Sequence, residues 1–263
     1  MAHRQSTALA ALLTLGLTAC TNQEQGQDNP TLAVEKNVPA KAGPTPLLLA
    51  GTARMYNVPP EATGWAQLQA GKAGALNPVL TDATGRTLYR SDEDSANPPQ
   101  STCEGDCAAA WPPVTVAENG RIFLEGVTKS DVGVARRTDG KLQITIAGWP
   151  IYRYAKDTKP GEASGHGVGT TWFGVTPSGE KADSTVLFDE PGFANSEAKQ
   201  AVAPTQGCQN LEKPNRTSSV STAAWTTLWT ERNCKGRSVT IKGKIADLTT
   251  ANFDNKTASV SFE

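Results

Sequence analysis

A block of ten residues occurs twice in this chain, so the fold must accommodate two equivalent units. Gly85-Arg86-Thr87-Leu88-Tyr89-Arg90-Ser91-Asp92-Glu93-Asp94 aligns with Gly148-Trp149-Pro150-Ile151-Tyr152-Arg153-Tyr154-Ala155-Lys156-Asp157, 63 positions later. In each copy an alternating run predicts a strand that leads into an acidic loop, with Leu88 and Arg90 on one face of the first and Ile151, Arg153 and Ala155 on one face of the second. Each copy later meets a tryptophan, Trp111 or Trp172. Turn signals surround both copies: VLTDATGRTLYR sets a glycine turn between two β-prone runs, and Asp139-Gly140 does the same within VGVARRTDGKLQITIAGWPIYRY. The expectation is an antiparallel β-rich duplicated domain packed on Trp111, Trp149 and Trp172.

The start of the chain reads as an address. His3 and Arg4 precede an apolar run from Ala8 to Leu17, and small residues lead to Cys20, the order of a secretory signal over residues 1–19. Leu17-Thr18-Ala19-Cys20 resembles a bacterial lipobox, which implies cleavage before Cys20, thioether lipidation of its sulfur and acylation of the new amino terminus. Two or more acyl chains hold a soluble domain stably at a bilayer surface. Thr21, where an Asp would favour the inner membrane, implies the outer membrane in a cell that has two. Residues 20–46 carry no sustained periodicity and little to bury, so they are expected to be a flexible tether.

With Cys20 set aside, Cys103, Cys107, Cys208 and Cys234 remain, an even number in an exported and therefore disulfide-permitting compartment. Three pairings are open. Proximity along the chain favours Cys103 with Cys107 and Cys208 with Cys234, and the three-residue gap in CEGDC fits neither a CxxC redox pair nor haem attachment.

Charge narrows the partners. With 25 Lys+Arg against 26 Asp+Glu and a net charge of −1, the chain as a whole has no basic field for a polyphosphate, and nucleic acid is not expected. Of two histidines only His166 follows the signal, so sites needing two imidazoles from one chain are excluded. Neither a GxSxG nor an HExxH motif is present, which leaves hydrolases without support.

GRTLYRSDED, CEGDCAAAWPP, DGKLQITIAGWPIYRYAKDTKPGEASGHG and TTWFGVTPSG together resemble a family of secreted bacterial lipoproteins built from a repeat of unknown function with a YxFxxD-type motif. Tyr152, Tyr154 and Asp157 fit that motif; the first copy has Tyr89 and Asp94 but Ser91 at the second aromatic place. The resemblance implies an extracytoplasmic location and no established activity. Residues 47–193 form the repeat domain on this reading. Its candidate metal ligands are His166, in the glycine-flanked GEASGHGVGTTW, with Tyr89, Asp94, Tyr152 and Asp157. The alternative for the four motif residues is that each tyrosine packs its ring and bonds an aspartate that closes a turn.

Residues 194–206 read as a second linker, leading into 207–263. There Trp229, Cys234 and Gly236 are similar to the aromatic-x4-aromatic-x-Gly signature of βγ-crystallin Greek keys. Asp254-Asn255-Lys256-Thr257-Ala258-Ser259 and Pro214-Asn215-Arg216-Thr217-Ser218-Ser219 are similar to that family's paired calcium motifs. The resemblance implies a small Greek-key β-sandwich, with Asp254, Asn255, Ser259, Asn215 and Ser218 as degenerate calcium ligands. Ala258 and Pro214 stand where ligands are expected, and calcium wants six to eight oxygens. The whole chain is therefore expected to be mainly β, a lipid-anchored cell-envelope protein that acts as a structural or binding accessory of a surface complex. Its partners would be the membrane, through the anchor, and another envelope protein. Two alternatives stand beside it: an extracytoplasmic redox-metal protein with copper or haem near His166, dismutase-like or electron-transferring, and a protease inhibitor acting through the C-terminal domain.

Overall fold

The computed structural model describes residues 45–59 and 62–262. The expected signal peptide, Cys20 and nearly all of the expected tether lie outside the described residues. The protein is mainly β, and the described residues form one compact unit. No helix among the described residues is long and apolar enough to cross a membrane.

The first sheet orders its strands Leu47–Ala50, Arg121–Glu125, Trp65–Ala73 and Leu76–Thr81. Within this otherwise antiparallel domain Arg121–Glu125 is the exception, lying parallel to both of its neighbours. Long connections make this feasible, since parallel neighbours cannot be joined by a tight turn. A second sheet centres on Leu142–Ile146, which pairs antiparallel with Val132–Arg136, Trp149–Pro150 and Thr115–Val116. The Asp139-Gly140 turn forms as expected: Gly140 sits at φ 81°, and Arg137 N–H donates to Lys141 O at 3.0 Å. The two sheets close on one core in which Leu68, Leu80, Leu88, Ile122, Ile144, Ile146 and Ile151 are fully buried.

A third sheet orders Lys199–Val202, Thr185–Phe188, Ser219–Glu231, Ser259–Phe262 and Cys208–Asn210, with Lys235–Ile245 added as a third partner of the long Ser219–Glu231 strand. The expected linker over 194–206 therefore contains a strand, and the expected boundary at residue 193 is crossed by pairing. Thr185–Phe188 is buried along its whole length, so it needs a neighbour on each edge. It takes Ser219–Thr222 on one side and Lys199–Val202 on the other. Leu187 belongs to the same core as Leu211, Val220, Leu228, Leu248, Phe253 and Val260. The two disulfides join Cys103 to Cys107 and Cys208 to Cys234.

Candidate functional site

The duplicated block folds into one arrangement with approximate two-fold symmetry. Tyr89 and Tyr152 face each other in an antiparallel bridge, each backbone N–H donating to the other's carbonyl at 2.9 Å. The phenol of each copy then reaches the carboxylate of the other copy. Tyr152 donates to Asp94 Oδ2 at 2.7 Å, and Tyr89 donates to Asp157 Oδ2. The second oxygen of each carboxylate accepts a backbone N–H, from Thr102 at 2.8 Å and from Ser164 at 2.9 Å. Trp111 and Trp172 stack between the copies, centroids 3.9 Å apart and planes within 2°. Each also receives the edge of one tyrosine, Tyr89 at 5.5 Å and Tyr152 at 5.1 Å. The tyrosine-to-aspartate spacing thus has a structural purpose. A short strand followed by a loop carries the aspartate of one copy onto the tyrosine of the other.

The symmetry is broken in two places. Tyr154 stacks on Trp111 at 4.3 Å, whereas the matching Ser91 is buried and accepts the Glu93 N–H at 3.1 Å. Around Asp94 the site is closed by the Cys103–Cys107 loop. Ser101 Oγ lies 2.7 Å from the Tyr152 hydroxyl, and buried Arg137 donates to Ser101 Oγ and to the Cys103 carbonyl, both at 2.8 Å. The second copy has no such cover. Its Ser164 and Tyr154 line a cleft of about 730 Å³ together with Lys156, Lys199 and Gln200.

Electrostatics follow from burial. Tyr89 and Tyr152 are both pushed well above the ordinary phenol range by loss of water, with the facing aspartates adding to it, so both stay protonated donors. Burial also pushes Asp157 up, against the hydrogen bonds from Tyr89 and Ser164. Lys199 is drawn down to about 8 by burial, which the charge of Asp157 partly offsets. Its ammonium donates to the carbonyls of Ser164, at 2.9 Å, and Ser196.

His166 corrects the sequence reading. It is not an open loop imidazole but a core residue, 2% exposed. Its Nδ1 accepts the Gly174 N–H at 3.1 Å, which places the ring proton on Nε2, and Nε2–H then donates to Ser184 Oγ at 2.7 Å. The one lone pair a metal would need is already engaged, and the same tautomer prevents the ring from taking a proton from Ser184. Burial, with the Lys199 charge second, pushes His166 down to about 3 and keeps it neutral. The proposed shell of His166, Tyr89, Asp94, Tyr152 and Asp157 therefore does not converge: its tyrosines and aspartates consume each other in pairs. Among the described residues, no three His, Cys, Asp or Glu side chains are grouped to hold a metal.

The candidate calcium residues divide. Asn215 and Asn255 both take the left-handed conformation, at φ 59° and 52°, and their N–H groups cross to the carbonyls of Thr257 at 2.7 Å and Thr217 at 2.9 Å. Ser259 is fully buried; its hydroxyl donates to Glu231 O at 2.6 Å and accepts the Cys234 N–H at 3.0 Å, so it pins the loop to the sheet and is no ligand. Asp254, Asn255 and Ser218 instead meet in a cleft of about 420 Å³ that Asp189 and Asp247 also line. Sequence reasoning missed Ser184, Arg137 and Lys199, since each acts on a partner 18 or more positions away and belongs to no spaced motif.

Residues 73–115 and 133–176 each match a family described as a secreted repeat of unknown function. The two matches together span about a third of the chain. A comparison with curated proteins gives no match. Among solved structures the chain is similar to a βγ-crystallin from an archaeon, with 16% identity over 32% of this chain and all of that one and a TM-score of 0.28. It is likewise similar to a βγ-crystallin domain from Flavobacterium johnsoniae, with 18% identity over 31% of this chain and 94% of that one and a TM-score of 0.26. A βγ-crystallin from Ciona intestinalis gives 17% identity over 30% and 99% of the two chains and a TM-score of 0.26.

Proposed function

We propose that the chain is a lipid-anchored cell-envelope protein whose repeats form a rigid scaffold for binding another surface component and do no chemistry of their own. One observation carries this reading: the polar groups of the repeated motif are spent on each other, tyrosine of one copy to aspartate of the next, inside an aromatic stack. His166, the redox alternative's required ligand, has both ring nitrogens engaged. The test is elemental analysis and an absorption spectrum of the chain from Thr21 onward, purified without added metal. The reading expects neither copper nor haem in stoichiometric amount, and finding either would overturn it. Anchoring is tested separately, by labelling cells that express the full chain with an alkynyl fatty acid. Label, and membrane retention in 0.5 M salt, should both vanish in Cys20→Ser; an unlabelled wild-type chain would remove the anchor from the account.

A second reading concerns calcium in the C-terminal sheet. Asp254 and the Ser218 hydroxyl, which makes no hydrogen bond within the described residues, line one cleft with Asn255 and supply oxygen donors of the hard type calcium prefers. Pro214 and Ala258 lack side-chain oxygens at the matching places of the crossed motif, so the reading supports one site and not two. A calcium-dependent rise in melting temperature that Asp254→Asn abolishes would support it; an identical melting curve in calcium and in chelator would refute it.

A further inference from the structure

The hairpin Ser219–Glu231 and Lys235–Ile245 gathers charge that the rest of the chain does not show. From Glu231 to Ile245 there are five basic residues against one acidic, in a chain whose net charge is −1. Lys244 is spent on the Thr170 carbonyl at 3.1 Å. The other four, Arg232, Lys235, Arg237 and Lys242, are exposed, and none forms an ion pair among the described residues. Among the described residues Lys235–Ile245 pairs only with Ser219–Glu231, which leaves its outer edge open there. Trp225 is 50% exposed, the only exposed one of six tryptophans, and lies on the same hairpin with Lys242 Nζ 5.4 Å from its ring. It stands in the bulge between Thr222 and Thr226, where the ladder shifts register and turns a side chain outward.

Lysines alone would protect an open edge from pairing with another strand. They account neither for a half-exposed indole beside them nor for three unpaired cations at the turn. An exposed tryptophan beside one lysine, on a hairpin whose turn carries three more cations, is the combination that settles at the headgroup level of a bilayer bearing anionic lipid, the ring at the interface and the cations against phosphate. We infer that this hairpin is a docking surface for an anionic phospholipid membrane, with Arg232, Lys235, Arg237 and Lys242 meeting the headgroups and Trp225 entering the interface. This contact does not require acylation of Cys20. It would set which face of the protein lies down on the membrane and leave the opposite side free for partners.

The test is flotation of the unlipidated chain from Thr21 onward with vesicles of 70:30 phosphatidylethanolamine and phosphatidylglycerol, against vesicles of phosphatidylcholine alone. Binding should appear only with the anionic vesicles and be reversed by 0.5 M salt. Each Lys or Arg near such a surface is worth about fivefold in partitioning. The variant Arg232→Gln, Lys235→Gln, Arg237→Gln and Lys242→Gln should therefore lose on the order of a hundredfold or more, with unchanged circular dichroism. Trp225→Ala should lose a smaller factor at unchanged salt dependence. Equal binding to both vesicle types, or full binding by the quadruple variant, would overturn the proposal. So would binding to a soluble polyanion such as heparin with no affinity for the vesicles. Because no acyl chain is present, failure here leaves the fatty-acid labelling result untouched.

Discussion

Lowering the pH from 7 to 5 should remove about 2 kcal/mol of stability through His166 alone, starting from an imidazole that is ordinarily half-protonated near 6.5 and is held at about 3 in the fold. The depressed value means that the unfolded chain binds a proton in this range and the folded chain does not. The contribution is therefore nearly complete at pH 7, declines as the pH falls, and reaches about 4 kcal/mol of loss near pH 3. The structural cause is that protonating Nδ1 would put two donors face to face at the Gly174 N–H, in a site 2% exposed and near Lys199. Asp157, whose pKa is raised, works in the opposite sense, contributing stability at low pH that is lost as the pH rises through its folded value. Urea unfolding of the wild type and of His166→Asn at pH 7, 6 and 5 separates the two, because the carboxylates are common to both proteins. The wild type should lose about 2 kcal/mol more than the variant between pH 7 and 5. Parallel stability curves, or an NMR titration placing this single imidazole near 6.5 in the folded chain, would refute the reasoning.

Gly165 lies where a Cβ would stand 2.9 Å from Trp111 and from Tyr89, so Gly165→Ala should destabilise by roughly 1–3 kcal/mol through overpacking. In contrast Gly140→Ala, with open space and only its φ of 81° against it, should cost about 1 kcal/mol; equal melting temperatures for the two variants would contradict the packing argument. Breaking Cys208–Cys234, which closes a separation of 26 residues, should cost about 3 kcal/mol in urea unfolding of Cys208→Ser, Cys234→Ser. Tyr152→Phe strips Asp94 of a buried donor while keeping the ring against Trp172, and should cost about 2 kcal/mol, read as a fall of roughly 4–8 °C in melting temperature.

The duplication, the Asp139-Gly140 hairpin, both disulfide pairs and the β-rich class are legible in the sequence, because each rests on local spacing or on residues with narrow conformational roles. What spacing along one copy does not reveal is the partner, and the crossing of Tyr89 to Asp157 and Tyr152 to Asp94 appears only once the two copies meet. A ring that packs and a phenol that bonds an aspartate can be expected from the motif, but the motif assigns no copy to each bond. His166 misled through its glycines. Gly165 and Gly167 flank it because their neighbours approach closely, Trp111 to the first and Val186 to the second, and not because the loop is open. The strand Lys199–Val202 escaped notice because it is half-exposed throughout, so AKQAV shows no alternation to distinguish it from a linker. In the two segments around Asn215 and Asn255 the sequence shows no convergence, whereas the fold brings Asp254 and Ser218, one from each, to one cleft.

The central claim is that the repeated tyrosines and aspartates brace one copy against the other, and double-mutant cycles on them test it most directly. Tyr89→Phe with Asp157→Asn, and Tyr152→Phe with Asp94→Asn, should each show a coupling free energy of about 1 kcal/mol or more in urea unfolding. The same-copy pairs, Tyr89→Phe with Asp94→Asn and Tyr152→Phe with Asp157→Asn, should be additive within about 0.5 kcal/mol. Coupling in the same-copy pairs and additivity in the crossed ones would contradict the account.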